Sequence, residues 1–332
     1  MKKITILDVA KAAGVSTTTV SRVINKVPSV EPANRIRVEE AIRKLKYKPN
    51  SSAQRLAGGK SNTVALVIPR YSGVFHSFYA IEIIRAVGTV CERMHLDLLL
   101  HLGGKTAILN LSSIDGVVFS DIIENESQLD EALKHELPTV VINKRIESKD
   151  VNCIYIDNEA GAFEAVNYLI GLGHKSIVHI TGDLNTQAAS DRLKGYRKAL
   201  EVNKIPLDEN YIFKADYSRN SARKQAENIL KMHLRPTAIF VASDDMAMEV
   251  ISYFSERRVK VPQDISIIGF DDDPVGLFGQ IRLTTVRQPL TQMCEKALEI
   301  LLYLMVKKPM AIKATVLKTE LVIRDSVAAP KP

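Results

Sequence analysis

Short hydroxyls and one long cation recur at helical spacing in the stretch VSTTTVSRVIN, residues 15–25. At about 100° per residue, Val20, Val23 and Ile24 share one side, and Thr17, Thr18, Ser21, Arg22 and Asn25 fall on the other. A helix that only packs fills its outer face with Glu, Lys and Ala, the stronger helix formers. An outer face of Thr, Ser, Arg and Asn suits base edges and phosphates instead. A guanidinium grips guanine, threonine methyls meet thymine methyls, and hydroxyls near a helix start reach phosphate. The competing reading is a merely solvated face. Charge weighs against it: residues 1–60 hold 13 Lys and Arg against 4 Asp and Glu, a net +9, while the rest hold 32 against 34, a net −2. Positive charge gathered in one patterned segment points to a polyanion partner, double-stranded DNA above all.

A second set of residues sits where apolar runs end: Phe75, Ser120, Asp121, Asn143, Arg145, Asp157, Asp183, Ser243, Asp244, Asp271 and Gln288. Arg192 adds a cation at a helix start, and His76 neighbours Phe75. Carboxylates, amides and a guanidinium around one cleft suit a hydroxyl-rich small molecule. No GxxxxGK[ST] phosphate loop, no GxGxxG after a strand and no GxSxG elbow occurs. Cys91, Cys153 and Cys294 lack any ligand spacing and read as reduced core thiols, and the seven histidines are scattered. No metal and no cofactor is expected.

The elements that position the first set are three short helices. One runs from about Leu7 to Ala13 and ends at Gly14, which suits a left-handed cap. Ser16 caps the second, and the third carries Pro32 in its first turn. Val9, Ala10, Ala13, Val15, Val20, Val23, Ile24, Ile36, Val38, Ile42 and Leu45 supply a shared core. Two helices joined through a tight glycine turn form a helix-turn-helix. In YKPNSSAQRLAGGKSN, Pro49 stops the third helix, Asn50 or Ser51 caps a short helix over 52–57, and GGKSN reads as linker. Leu56 is either a wedge for the minor groove or a residue that packs on a neighbour.

From Thr63 on, nine β-branched runs from TVALVIP to ISIIGFDD alternate with helical stretches such as EAGAFEAVNYLIGLGH. Buried strands alternating with helices mean parallel sheets covered on both faces. So many strands suit two doubly wound lobes, which bind ligands beyond the carboxyl ends of their strands. The 332 residues, 46% hydrophobic, allow two or three packed units. No apolar run approaches the roughly 18 residues that span a bilayer, and an aspartate interrupts the N-terminus before a signal core forms. A cytoplasmic protein is expected.

TILDVAKAAGVSTTTVSRVIN together with YKPNSSAQRLAGGKSNTVALVIP resembles the start of a LacI–GalR family transcription regulator. RLKGYRKAL, ASDDMAM, ISIIGFDD and LTTVRQP resemble that family's effector domain, so the likeness covers nearly the whole chain. It implies a small all-α helix-turn-helix headpiece on residues 1–48, a hinge helix and linker on 49–61, and an α/β core on 62–332. That core would have two doubly wound parallel-sheet lobes, like periplasmic sugar-binding proteins. By the resemblance, Ser16, Thr17, Thr18, Ser21, Arg22 and Asn25 contact DNA from the recognition helix, and Thr5 and Asn34 contact phosphates. Leu56 becomes the hinge wedge, with Asn50, Ala53 and Gln54 as further hinge contacts. Phe75, Asn143, Arg192, Ser243 and Asp271 match the family's cleft contacts, and with His76 and Asp121, taken from their positions beside Phe75 and at a strand end, they make up the effector set.

The chain departs from the family pattern in places. His76 stands where an aromatic is common, Asn143 where aspartate is frequent, Ser243 where asparagine often appears, and Glu31 lies near the DNA side. Only about a dozen residues of HLGGKTAILNLSSIDG link two strands, near the minimum for a parallel crossover. That predicts a crossover helix cut to two turns. No heptad-bearing tail follows LVIRDSVAAPKP, so a homodimeric repressor on a palindromic operator is expected. A protein coregulator is the alternative source of its signal. A transport receptor would have no use for a basic headpiece. An enzyme on sugars would need an acid/base pair or a phosphate loop.

Overall fold

The computed structural model describes residues 4–24, 27–47, 61–71, 74–279, 281–306 and 313–331. They fall into two compact units, Met1–Asn62 and Thr63–Pro332. In the first, α1 (Ile6–Ala13) opens where the Asp8 carboxylate accepts both the amide and the hydroxyl of Thr5, each at 2.8 Å. It closes at Gly14, whose φ of +63° is left-handed. Helix α2 (Thr17–Ile24) begins where Ser16 Oγ accepts the Thr19 amide at 3.0 Å. Helix α3 (Pro32–Leu45) starts on Pro32, whose missing N–H costs nothing there. Val9, Ala10, Ala13, Val20, Val23, Val38 and Ala41 form the core. Ile36 is not part of it: it is 57% exposed. The buried stripe of α3 follows Val38, Ala41, Ile42 and Leu45, and a residue two places before Val38 lies on the far side.

The second unit holds two parallel sheets. The first has the order β2 (Asp97–Gly103), β1 (Thr63–Pro69), β3 (Gly116–Phe119), β4 (Thr139–Ile142), β5 (Asn152–Ile156), β11 (Ala314–Leu317). Helices α4 (Phe78–Arg93) and α10 (Leu290–Met305) cover one face, and α5 (Glu126–Lys134) packs on the other. The second sheet runs β7 (Ile212–Phe213), β6 (Ile177–Ile180), β8 (Ala238–Val241), β9 (Ser266–Ile268). Its faces carry α6 (Asn158–Gly171) with α7 (Gln187–Val202), and α8 (Arg219–Leu230) with α9 (Asp244–Glu256). A short antiparallel pair, β10 (Thr285–Arg287) and β12 (Glu320–Val322), completes the unit. The chain crosses between lobes three times, after β5, after β10 and after β11. These are the two doubly wound lobes that the alternation predicts. The nine runs read from sequence correspond to β1–β9.

One crossover differs from its sequence reading. Between β2 and β3 there is no α-helix, only a 3-10 turn at Leu111–Ser113. Leu109 and Ile114 still bury against the α5 side of the sheet. The loop backbone is satisfied by a side chain: Gln128 of α5 donates to the carbonyls of Gly104 and Ala107 at 3.1 and 2.5 Å. A dozen residues must span the width of β1, which leaves too little chain for two helical turns.

Candidate functional site

On α2, Val20 and Val23 are buried, Thr17 and Ser21 half-buried, and Thr18 and Arg22 exposed. The hydroxyl-and-cation face is therefore open while the valine seam packs. Ser16 is a cap as well as a candidate contact, since its Oγ holds the Thr19 amide and lies 2.9 Å from Thr19 Oγ1. Thr5 donates its hydroxyl to Asp8, so only its lone pairs remain open. Asn34 donates to Glu31 Oε2 at 3.1 Å and accepts from Arg37, which gives the unusual Glu31 a local partner. Asn25, Asn50, Ala53, Gln54 and Leu56 lie outside the described residues.

The cleft is built from strand ends. Strand β3 hands Ser120 and Asp121 to its carboxyl edge, and β4 does the same for Asn143, whose φ of +65° turns the chain sharply. Asn143 Nδ2 donates to Asp121 Oδ2 at 3.0 Å, and the Ile122 amide donates to Asp121 Oδ1 at 2.6 Å. Burial pushes the Asp121 carboxyl up to about 6 against the pull of that amide, Lys144 and Asn143.

The other lobe brings Arg192 from α7. Its guanidinium stacks 3.7 Å over the Phe270 ring and donates from Nε to Asn158 Oδ1 at 2.9 Å and from Nη1 to the Ala242 carbonyl at 2.5 Å. Nη1 also lies 3.8 Å from Asp271 Oδ1. Asp271 has a φ of +129°, and Gln288 Nε2 donates to its Oδ1 at 2.5 Å. Burial raises the Asp271 carboxyl, with Arg192 opposing. The structure thus joins Asp121 with Asn143, and Arg192 with Asp271 and Gln288.

Other candidates have different work. Asp244 is fully buried and accepts from Thr285 Oγ1 at 2.6 Å and from the Asp273 amide at 2.8 Å, so it braces strand ends. A Cβ at Gly269 would fall 2.0 Å from its Oδ1, which requires glycine there. Burial and the nearby Asp271 raise the Asp244 carboxyl well above the usual range. Ser243, Asp157 and Asp183 accept local amides from Met246, Ala160 and Asn185. Arg145 is exposed and pairs with Glu147, while its amide donates to Gln187 Oε1 at 2.8 Å, across the lobes. Phe75 and His76 are exposed on the 3-10 turn Val74–His76.

Three tyrosines escape the sequence reading. Tyr79 donates its hydroxyl to the Ser120 carbonyl at 2.6 Å. Tyr217 has a left-handed φ of +68° and lies against Gly182, where a Cβ would come within 2.1 Å of its ring. Burial raises the phenols of Tyr71 and Tyr217, and both also feel Asp121 and Asp271. The charges of the two lobes therefore act on one shared space. Around it Ser120 Oγ, Asn143 Oδ1 and Gln288 Oε1 are buried with no hydrogen-bond partner. A separate hollow of about 440 Å³, around Lys175, Tyr196, Lys204 and Tyr211, shares none of these residues. Among the described residues no cluster of metal-ligating groups occurs, and no helix is long and apolar enough to cross a membrane.

Residues 5–50 match the family described as bacterial regulatory proteins, lacI family, and residues 166–327 match a periplasmic binding protein-like domain. The chain is 34% identical over 310 residues to catabolite control protein A of Priestia megaterium, covering 90% of this chain and 91% of that one. It is 34% identical over 335 residues to the HTH-type transcriptional repressor PurR of Vibrio atlanticus, covering 97% and 98%. Among solved structures, the lac repressor dimer bound to operator and the anti-inducer ONPF aligns with a TM-score of 0.86 at 28% identity, covering 99% of this chain and 100% of that one. The complex of the regulator CelR with cellobiose aligns at 0.73 and 27% identity, covering 97% and 99%.

Proposed function

The chain belongs to the LacI family of bacterial transcriptional regulators, and on that premise we propose a dimeric repressor whose hold on a palindromic operator is switched by a hydroxyl-bearing small molecule in the cleft. In this reading Thr17, Thr18, Ser21 and Arg22 on α2 read base edges, and Ser16, Thr5 before α1 and Asn34 on α3 contact phosphates. One observation carries the effector half of the reading. Ser120 Oγ, Asn143 Oδ1 and Gln288 Oε1 are buried without partners beside two carboxylates. Leaving such a group unpaired costs about 1–3 kcal/mol, so a cluster of them suits a ligand that completes their bonds. A related regulator carries cellobiose, which supports a saccharide-like effector.

The test selects bound duplexes from a random pool with the full chain and measures their retention with and without saccharides. Recovery of an inverted repeat, and a saccharide that changes its retention, are the expected results. Selection of no symmetric sequence would overturn the dimeric operator reading.

A further inference from the structure

Two amide–carboxylate pairs leave two buried carbonyl oxygens without a donor. Asn143 commits its Nδ2 to Asp121, and Gln288 commits its Nε2 to Asp271. In each pair the amide nitrogen faces its Asp and the carbonyl oxygen turns away. The atoms left over are Asn143 Oδ1 and Gln288 Oε1, buried with no donor. The cations nearby are partly engaged. Arg192 already donates to Asn158 and Ala242 and lies beside Asp271, and Lys144 donates to the Ile122 carbonyl at 2.5 Å.

We propose that the cleft selects an uncharged or amine-bearing polyol and rejects its phosphorylated and acidic counterparts. This rests on the effector reading above and adds a charge rule to it. A hydroxyl or ammonium brings the protons that the amide oxygens and carboxylates lack. A phosphate or carboxylate brings only further acceptors, and it would share its space with Asp121 and Asp271, both of which act on Tyr71 and Tyr217. Like charges brought together out of water are strongly disfavoured. Burial already resists ionisation of Asp121 and Asp271, so a ligand anion meets the same unfavourable, poorly solvated surroundings. The signal is then a sugar before phosphorylation. A glycoside hydrolase would produce it, and a sugar kinase would consume it.

The test is calorimetric titration of the full chain with matched probes on glucose and galactose scaffolds: the hexose, the 2-amino-2-deoxyhexose, the hexuronate and the hexose 6-phosphate. The neutral or amino member is expected to bind on the order of a hundredfold more tightly than its uronate and phosphate. Asp121→Asn should narrow that gap, weakening the neutral sugar and strengthening the anion. An anion that binds as tightly as its neutral partner overturns the charge rule. If Arg192→Ala abolishes that binding, the cleft still stands as the effector site. If no probe binds, the saccharide reading of the cleft falls and takes the charge rule with it.

Discussion

Gln128 grips Gly104 from both sides, accepting its amide at 3.4 Å and donating to its carbonyl at 3.1 Å. This side chain stands in for the missing crossover helix, and it is 2% exposed. Gln128→Leu should strip the Ala107 carbonyl of its donor and leave the Gly104 carbonyl with only the Ala107 amide, at a cost of roughly 1–3 kcal/mol. The loss should be local, seen as faster amide exchange over residues 104–115. Unchanged exchange there would show that the loop holds itself.

Arg22→Ala should weaken operator binding by roughly 1–3 kcal/mol and relax the preference at one base position per half-site. Arg22 is exposed on the open face of α2, beside Thr18. Equal weakening on operator and random duplex would reduce it to a phosphate contact.

Salt should act steeply. With a net +9 in residues 1–60 and two copies in a dimer, the logarithm of affinity should fall by close to one unit per phosphate contact, per decade of salt. A slope of only about one or two would contradict a dimer docking with both headpieces.

Asp271→Asn should lose the effector response while keeping ligand-free operator binding. It keeps the shape, retains an oxygen for Gln288 and removes the charge facing Arg192. Arg192→Ala is the harsher change, because it also strips Asn158 and the Ala242 carbonyl of their donor. The measurement is operator retention with and without saccharide. An Asp271→Asn protein that responds at wild-type concentrations would remove Asp271 from the effector set.

His179 sets a pH dependence. It is fully buried, stacked between Tyr196 and Phe240 at 5.3 and 4.7 Å, with Nδ1 bonded to the Phe240 carbonyl. Burial holds its imidazole down to about 4. An unfolded histidine titrates near 6.5, so between those values the unfolded chain binds the extra proton. Stability from this group is therefore complete above about pH 6.5 and declines toward pH 4, by roughly 3 kcal/mol. Asp121, raised by burial to about 6, acts with the opposite sign, favouring the fold as pH falls through that value. The wild-type curve minus that of His179→Leu isolates the histidine, and parallel curves would refute its contribution.

What the sequence disclosed follows from what leaves a periodic trace. Strands β1, β3, β4, β6, β8 and β9 were legible as apolar runs rich in β-branched residues and buried on both faces, whereas β2 is a half-exposed leucine run and β7 only two half-buried residues. Strands β10, β11 and β12 are three or four residues each, every one with at least one exposed position, and carry no such trace. The open face of α2 was legible because a 3.6-residue period separates it from the valine seam. Asp244 was counted with the cleft because strand-end position alone cannot tell a ligand group from a brace. Tyr79, Tyr217 and Gln128 were missed because they meet their partners only after the chain has folded back. Gln128 looks like surface on its helix, and Tyr217 sits in a loop with no period.

The chain has ten tyrosines and no tryptophan. In most proteins an indole drains the excitation of nearby phenols and dominates the emission, but here tyrosine is the sole intrinsic fluorophore. Tyr71, Tyr79 and Tyr217 gather around the cleft carboxylates. A molecule settling there replaces water beside their rings, so near-ultraviolet difference absorption and phenolic emission should follow occupancy without any label. The same property gives a clean optical baseline, since a single tryptophan placed elsewhere would report on that place alone.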